Sequence, residues 1–460
     1  MWHYVTWRRV GFAFIETLFL LCCGPAGYVI HFARFPSSTG QCFFILCKTL
    51  VVAVIFQFFL HLNDVYLFQG QQHLFKFLGL LLRTVVFAIL ASCVVFFAFP
   101  WMVVERGVFA WSLILASMFI LFWHTILGLY LRRRRPHTRL LVLGVNSLAL
   151  NSVEEILCHP ELGIKVVGFV ADASAGADVS VVNAKIIGDY NDLGRLVPEL
   201  GVNHIIVGLS DSRKKLPIEE LLDFKTRGIF VENAEHFYER FTGKIPVENL
   251  RPSWLVFNSG FDISKDVFLQ KRILSISFSI VLAILTLPIL LLAAIMIKLD
   301  SKGPVFYKQK RVGRNGLVFR LVKFRSMRQD AEKSTGPVWS TQENDSRVTR
   351  VGRLLRRTRI DELPQIYNVL CGDMDMVGPR PERPFFVDQL SREIPYYPLR
   401  HAVRPGITGW AQVNSGYAGD LAHTVEKLQY DLFYIKNMSL VLDIMVLFET
   451  IKTVLVRKGS

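Results

Sequence analysis

Five stretches of this chain are too long and too apolar to be ordinary protein core. Four lie near the start, at about 11–33, 42–62, 75–98 and 108–130, and a fifth, "ILSISFSIVLAILTLPILLLAAIMI", runs from 273 to 297 without a charge. Each is near or above the roughly 20 residues an α-helix needs to cross a bilayer, where backbone polar groups must be satisfied within the segment itself. A membrane is therefore part of the fold. Arg8 and Arg9 precede the first stretch and "LRRRRPHTR" (131–139) follows the fourth. The excess of Lys and Arg on cytoplasmic flanks puts both on the same side, as an even number of crossings permits. Glu16 and Lys48, which interrupt two of the spans, read as interhelical or helix-end positions rather than a polar path. The N-terminus has no small-residue cleavage site leading into a soluble domain, so it reads as a retained helix.

The fifth stretch behaves differently. Lys271 and Arg272 precede it, and Lys298, Lys302, Lys308, Lys310, Arg311 and Arg314 follow it, so both flanks favour the cytoplasm. Pro288 sits near its middle, where it removes a helix hydrogen bond and permits a kink. A helix that breaks at Pro288 and returns to the face it entered satisfies these facts together, and it leaves the C-terminal part in the cytoplasm.

Between the spans the texture changes. "RLLVLGVNSLAL" (139–150) reads as strand, tight turn and helix start, and "KVVGFVAD", "AKIIGDY" and "NHIIVGLS" read as further strands with helical stretches between. That alternation predicts a parallel α/β domain over 137–250. Its first turn, Gly144-Val145-Asn146, lacks the second glycine that lets a backbone approach a pyrophosphate, and Asp172 stands further on than a ribose partner should. The domain reads as degenerate Rossmann-like, with a structural or regulatory role. The seven cysteines form no CxxC pair and read as small buried apolar residues. A charge of +15 on a chain that is 52% hydrophobic points to anionic lipid or substrate. It argues against nucleic acid, because the cations are interleaved with apolar runs.

Chemistry concentrates after the fifth stretch. "GPVFYKQKRVG" (303–313), "KFRSM" (323–327), "TRIDELPQ" (358–365), "MVGPRPE" (376–382) and "RPGITGWAQVN" (404–414) follow in that order. Lys323, Arg325, Arg356 and Arg380 are suited to phosphate oxygens, and the Gly-Pro and Pro-Gly pairs to rigid turns that present backbone N–H groups. Asp361-Glu362, three arginines behind it and Pro364 ahead, reads as a helix N-terminus whose dipole and cations keep Asp361 ionised, fit to bind a metal or attack phosphorus. A capping Asp in a set of surface salt bridges is the plainer alternative for an isolated pair. Trp410 and Tyr396-Tyr397 are placed either to stack on a base or to pack in the core.

These five motifs, in this order, resemble the monotopic phosphoglycosyl transferases of the bacterial sugar transferase family, over roughly 265–460. With four preceding helices and an α/β domain, the whole chain resembles the large undecaprenyl-phosphate galactose or glucose phosphotransferases. The resemblance implies a membrane α plus α/β architecture: four transmembrane helices (1–131), a Rossmann-like, CoA-binding-like domain (137–250), a linker (251–270), a re-entrant helix hairpin (271–298) and an α-rich cytoplasmic catalytic domain (299–460). It implies transfer of a phosphosugar from a UDP-sugar, UDP-galactose or UDP-glucose, to undecaprenyl phosphate, with release of UMP. Asp361 would be the nucleophile, forming a covalent phosphosugar-aspartate, and Glu362 the second acid. Both would serve magnesium. Lys323, Arg325, Arg356 and Arg380, with Asp431 and Asp443 of "YDLFYIKNMSLVLD", would bind substrate, and Pro288 would break the re-entrant helix. A bacterial inner-membrane location with both soluble domains cytoplasmic, contact with membrane lipid through an interfacial C-terminal helix (439–459), and a homodimer belong to the same expectation. The chain departs from the family pattern at Leu287, where Ser often precedes the proline, and at Ser275, where Asp often follows the Lys-Arg pair. A membrane sensor whose α/β domain binds a nucleotide, or a NAD-dependent sugar-nucleotide enzyme, would need the glycines that the Gly144 turn lacks.

Overall fold

Helix α1 (Trp2–Phe32), α2 (Thr39–Leu62), α3 (Leu74–Ala98) and α4 (Arg106–Arg133) account for the first four apolar stretches. The computed structural model describes residues 2–36, 38–63, 65, 74–102, 105–133, 138–158, 163–171, 185–208, 216–249, 260–261, 264–328, 347–415 and 420–456. They form two units, 1–242 and 243–460. In the first unit the four helices are long and apolar enough to cross a membrane. They bury Leu20, Val52, Phe56, Leu60, Leu81 and Ile120 against one another. Their outward side chains, such as Phe43, Val94, Phe97 and Phe122, are exposed and apolar, the reverse of a water-soluble bundle. Glu16 is an interhelical residue: its carboxylate accepts from Trp123 Nε1 (3.0 Å) and Gln57 Nε2 (3.3 Å) and lies 3.2 Å from His124 Nε2. The Lys48 ammonium sits 4.1 Å from the Phe44 ring centroid.

The α/β part of the same unit runs β1 (Thr138–Leu143), α5 (Ser147–Cys158), β2 (Ile164–Val170), β3 (Ile186–Gly188), α6 (Leu193–Glu199), β4 (His204–Val207), α7 (Ile218–Thr226), β5 (Phe230–Asn233) and α8 (Ala234–Thr242). All strands are parallel, in the order β3-β2-β1-β4-β5. Leu140 to Leu143 are all buried because helices cover both faces of the sheet. Strand β5 was not among the strands read from sequence; its signal is the short run "GIFVEN" after the left-handed Gly228. At the degenerate turn Gly144 has φ 83°, and Asn146 Oδ1 accepts from Ala149 N (2.7 Å). The residue standing where the second glycine would be thus caps its own helix. Asp172 lies outside the described residues.

The second unit starts at Gly243, earlier than the expected end of the α/β domain at 250. Ile245 and Val247 are buried in it, and Ile245 N donates to Gln429 O (3.0 Å). Most of the linker read at 251–270 lies outside the described residues. Helix α9 (Lys265–Asp300) follows, capped by Ser264, then the antiparallel ribbon β6 (Phe306–Val312) and β7 (Val318–Phe324), and α10 (Arg350–Arg357). A 3₁₀ turn (Ile360–Gln365) leads into α11 (Ile366–Cys371). Next come β8 (Asp375–Val377), α12 (Pro384–Glu393), β9 (Gly406–Thr408), which pairs parallel with β8, α13 (Trp410–Asn414), α14 (Leu421–Lys436) and α15 (Leu440–Val456). Two small sheets thus join the helices of a domain expected to be mainly helical.

Helix α9 is one run of 36 residues, long and apolar enough to cross a membrane, and it stays helical through Pro288, so the break expected there is not present. A proline removes one N–H and its hydrogen bond, and the turns on either side can carry the helix across it. Lys271, Ser275 and Ser279, one face at spacing four, are buried at one end, and Ala293 and Ile297 at the other, against Phe324 and Leu355. From Ile280 to Leu292 no residue is buried. The cysteines correct the sequence reading: all seven are free, but only Cys23 is buried, and several, such as Cys47 and Cys93, face outward from the apolar helices.

Candidate active site

Asp361 and Glu362 sit in the 3₁₀ turn between α10 and α11. Helix α10 is capped by Thr349, whose Oγ1 accepts from Gly352 N (2.9 Å), and it ends at Thr358. Arg359 then takes a left-handed conformation (φ 55°, ψ 16°), which costs a non-glycine residue about 1 kcal/mol or more. That reversal swings the chain so that the acidic pair points back at β7 and the loop after β8.

Within the site the two acids differ. Glu362 Oε1 accepts from Lys323 Nζ (3.0 Å) and Arg380 Nη2 (2.7 Å), and Oε2 is 4.0 Å from Arg359 Nη1. Burial alone would raise its pKa, but Arg380 and Lys323 overcome that and hold it well below the usual carboxylate range. Asp361 is nearly buried and, among the described residues, takes no hydrogen bond. Burial, and then the charge of Glu362, push it up to about 6 against the pull of Lys323, Arg356 and Arg380. Asp361 thus stays mostly ionised at pH 7, but with its pKa raised rather than lowered by its surroundings. The turn is 3₁₀, the helix beyond has six residues, and the cations are bound to the neighbouring acid instead. Lys323 in turn is lowered by its own burial.

The structure brings together Asp361, Glu362, Lys323, Arg356 and Arg380; Arg356 Nε also donates to Ser326 Oγ (2.9 Å). Three other predicted residues lie elsewhere. Arg325 donates to Ser301 O (2.7 Å) and Lys302 O (2.8 Å), closing the end of α9 onto β7. Asp443 accepts from Lys271 Nζ (2.8 Å) and Tyr434 Oη (2.6 Å). Lys271 also donates to Val377 O (2.7 Å) and to Tyr434 Oη. Asp431 accepts from Arg400 Nη2 (2.8 Å).

The Gly-Pro turns are also used differently from the expectation. Gly378 N donates to Thr408 O (2.8 Å) and Gly406 N to Pro379 O (3.0 Å), so neither N–H is offered to an anion. A Cβ on Gly378 would stand 2.5 Å from Arg404 O, and one on Gly406 would stand 2.1 Å from Gly378 N. Glycine is required because β8 and β9 bring their backbones into contact. Trp410 belongs to the core: it stacks on Phe433 and donates Nε1–H to Gly243 O (2.9 Å). Tyr397 is buried as well, and its hydroxyl accepts from Arg400 Nη1 (2.6 Å). Ser275, at the departure from the family pattern, accepts from Met376 N (3.1 Å) and so remains a polar anchor.

Sequence reading missed Lys271, Arg311, Arg400 and Tyr434. Lys271 and Arg311 read as positive flank charges, yet Lys271 is fully buried, and Arg311 donates to Pro381 O (3.0 Å) and Glu382 Oε2 (3.3 Å). The available signal was position, since Arg400 stands four residues before "RPGITG" and Tyr434 inside "YDLFYIKN".

Residues 266–457 match the bacterial sugar transferase family, and residues 61–223 match a CoA-binding domain family. A UDP-N-acetylgalactosamine-undecaprenyl-phosphate N-acetylgalactosaminephosphotransferase of Aeromonas hydrophila is 45% identical over 231 residues, which is 50% of this chain and 53% of that protein. The chain thus spans about half the length of that relative. A UDP-glucose:undecaprenyl-phosphate glucose-1-phosphate transferase of Xanthomonas campestris pv. campestris is 34% identical over 345 residues, covering 70% of this chain and 67% of that protein. One of the same description from Escherichia coli (strain K12) is 32% identical over 342 residues, 71% and 70% of the two chains.

Proposed function

The chain belongs to the bacterial sugar transferase family, and from that premise we propose that it moves a sugar-1-phosphate from a UDP-sugar to undecaprenyl phosphate, releasing UMP. The observation that carries the reading is the inequality of the acidic pair: Asp361 takes no hydrogen bond among the described residues though cations surround it, and Glu362 is tied down beside it. In the first step an Asp361 oxygen attacks the sugar-linked phosphorus. The bond from that phosphorus to the bridging oxygen breaks, and UMP leaves with the electron pair. In the second step an oxygen of the lipid phosphate attacks the same phosphorus, freeing Asp361 and giving the lipid diphosphate sugar. Lys323, Arg356 and Arg380 offset the diphosphate charge, which would otherwise repel a carboxylate. Glu362 keeps Lys323 and Arg380 in place.

Magnesium is part of the proposal. Asp361 and Oε2 of Glu362 are the oxygens not engaged by short hydrogen bonds, and two carboxylates suit a hard cation that takes its remaining ligands from substrate phosphates and water. Bound there, the ion would neutralise charge developing on the departing phosphate. The site's cations outnumber its acids, which supports entry of the metal together with the diphosphate rather than before it.

The re-entrant reading of α9 draws support from its packing. Although α9 is unbroken, its two ends pack on the same unit, Ser275 at one on Met376 N and Ala293 and Ile297 at the other on Phe324 and Leu355, as a helix returning to one face requires. We place the chain in a bacterial inner membrane with this unit cytoplasmic, where the carrier lipid's phosphate is presented. Contact of α15 with lipid is supported by the exposed Val441, Ile444, Phe448 and Ile451, which recur at helical spacing. Two copies are proposed to pair, which cross-linking in native membranes tests.

The donors in the relatives' names widen the expectation from UDP-glucose and UDP-galactose to UDP-N-acetylgalactosamine. The deciding assay is UMP release by detergent-purified protein with magnesium, undecaprenyl phosphate and each of these donors, beside Asp361→Asn. UMP from one or two donors, abolished by the substitution, is expected. A variant as active as the parent would remove Asp361 from the chemistry.

A further inference from the structure

The loop that carries Arg380 is pinned along its whole length. Lys271 Nζ donates to Val377 O (2.7 Å), just before the loop. Gly406 N holds Pro379 O, Arg311 Nη1 holds Pro381 O, and Val312 N holds Glu382 O (2.9 Å). The carbonyl of Arg380 itself accepts from Arg400 Nη2 at 3.1 Å. Pro379 and Pro381 fix φ on either side, Gly406 N holds the peptide plane before Arg380, and Arg400 holds the one after it.

Arg400 is built for that task. It is buried, its Nη1 donates to Tyr397 Oη, and the Nη2 that reaches Arg380 O also donates to Asp431 Oδ2. The guanidinium also lies 5.0 Å from the Tyr397 ring centroid. Its planar fork is thus oriented from three directions, which a lysine could not reproduce. Asp431 is likewise buried, and its side chain reaches Arg400 rather than Asp361, Glu362 or their cations.

We propose that Arg400 is a positioning residue that fixes Arg380 against Glu362 through the Arg380 carbonyl, and that Asp431 serves the reaction only by holding Arg400. Asp443 does the same at the other end of the loop by holding Lys271, which reaches Val377 O. Two acids that the family resemblance marks as substrate-binding thereby become buttresses of one loop. The assignment rests on the proposed transfer reaction for its kinetic reading, but its structural half stands without it.

The experiment compares Arg400→Lys, Asp431→Asn, Arg380→Ala and the double variant Arg380→Ala/Arg400→Lys in the full-length protein. The readouts are UMP release and hydrogen exchange at the amides of Gly378, Arg380 and Glu382. A misplaced Arg380 is expected to lower kcat/KM for the UDP-sugar up to about 100-fold in Arg400→Lys. Exchange at the loop amides should accelerate while α10 and β7 stay protected. In the double variant Arg400→Lys should add nothing to Arg380→Ala, because residues acting through one another are not additive. Two results would overturn the proposal: losses that multiply in the double variant, or loop exchange in Arg400→Lys equal to the parent's. If Arg400→Lys does not fold, Asp431→Asn carries the same two comparisons. If the parent releases no UMP from any donor, the transfer reading fails while loop exchange still decides the positioning.

Discussion

Asp361 should give opposite pH trends for activity and stability. As a nucleophile it must be ionised, and in the free protein half of it is protonated near pH 6. kcat/KM should therefore fall with a slope of one as pH drops below about 6. Glu362, held well below the usual range, should add no second acid limb above pH 4. Stability runs the other way: the folded-state pKa lies above the ordinary 3.8, so the cost of ionising a buried carboxyl is fully present above pH 6 and relieved as pH falls towards 4. That shift of about two units corresponds to roughly 3 kcal/mol. Asp361→Asn should thus raise the melting temperature at pH 8 by several degrees, lose about half of that gain at pH 5 and most of it near pH 4, which scanning calorimetry in detergent can read. An acid limb near pH 4, or a variant less stable than the parent at pH 8, would contradict the burial argument. From sequence the pair was legible as a site, because three arginines stand just before two acids. The division of labour was not, since it depends on which acid β7 and the loop after β8 happen to reach.

At the level of elements, periodicity revealed the apolar helices and most of the parallel sheet, because both leave long or repeated apolar runs. The β8–β9 pair left no such signal. It is three residues a side, and its glycines read as turns, whereas they serve close backbone contact. Gly406→Ala should cost several kcal/mol, since backbone atoms rather than a flexible side chain oppose the new methyl group. Unfolding of the variant beside Gly316→Ala gives the comparison. Gly316 has open space around it but φ 78°, so the control should lose only the smaller cost of a left-handed alanine. Helix α9 offers a second test at this scale. Its flank charges were read for topology, yet Lys271 is buried on Asp443 and Arg272 closes the end of α11 through Val369 O (2.8 Å). Lys271→Met leaves Asp443 buried without its cation and should cost about 3–5 kcal/mol. Lys271→Met/Asp443→Leu should recover most of that. The re-entrant reading makes a separate prediction: single cysteines at Ser264 and Lys302, in an otherwise cysteine-free chain, should both react with a membrane-impermeant maleimide from the cytoplasmic face. Labelling of the two from opposite faces would make α9 a fifth crossing.

For the whole molecule, the order of domains was readable but the seam was not. The family match begins at 266, and a cut made there would look natural. The segment just after α8 nevertheless folds with the second unit: Ile245 and Val247 are buried in it, Lys244 Nζ reaches Glu426 Oε1 (2.7 Å), and Gly243 O takes the Trp410 N–H. Nothing in "GKIPVEN" marks that allegiance, because a short apolar pair shows no period and its partners lie about 180 residues away. Removing it exposes two apolar side chains' worth of core, roughly 3–5 kcal/mol. It also orphans a buried indole N–H, worth a further ~1–3 kcal/mol. Against the 5–15 kcal/mol of a typical domain that is a large fraction. A fragment of 243–460 should therefore purify as a folded, monodisperse species in detergent, whereas 264–460 should melt at least 10 °C lower or aggregate. Ile245→Ser/Val247→Ser in the longer fragment should reproduce part of the loss. Equal melting of the two fragments would mean that the seam lies at the family boundary after all, and that the α/β domain hands nothing to the catalytic unit but a tether.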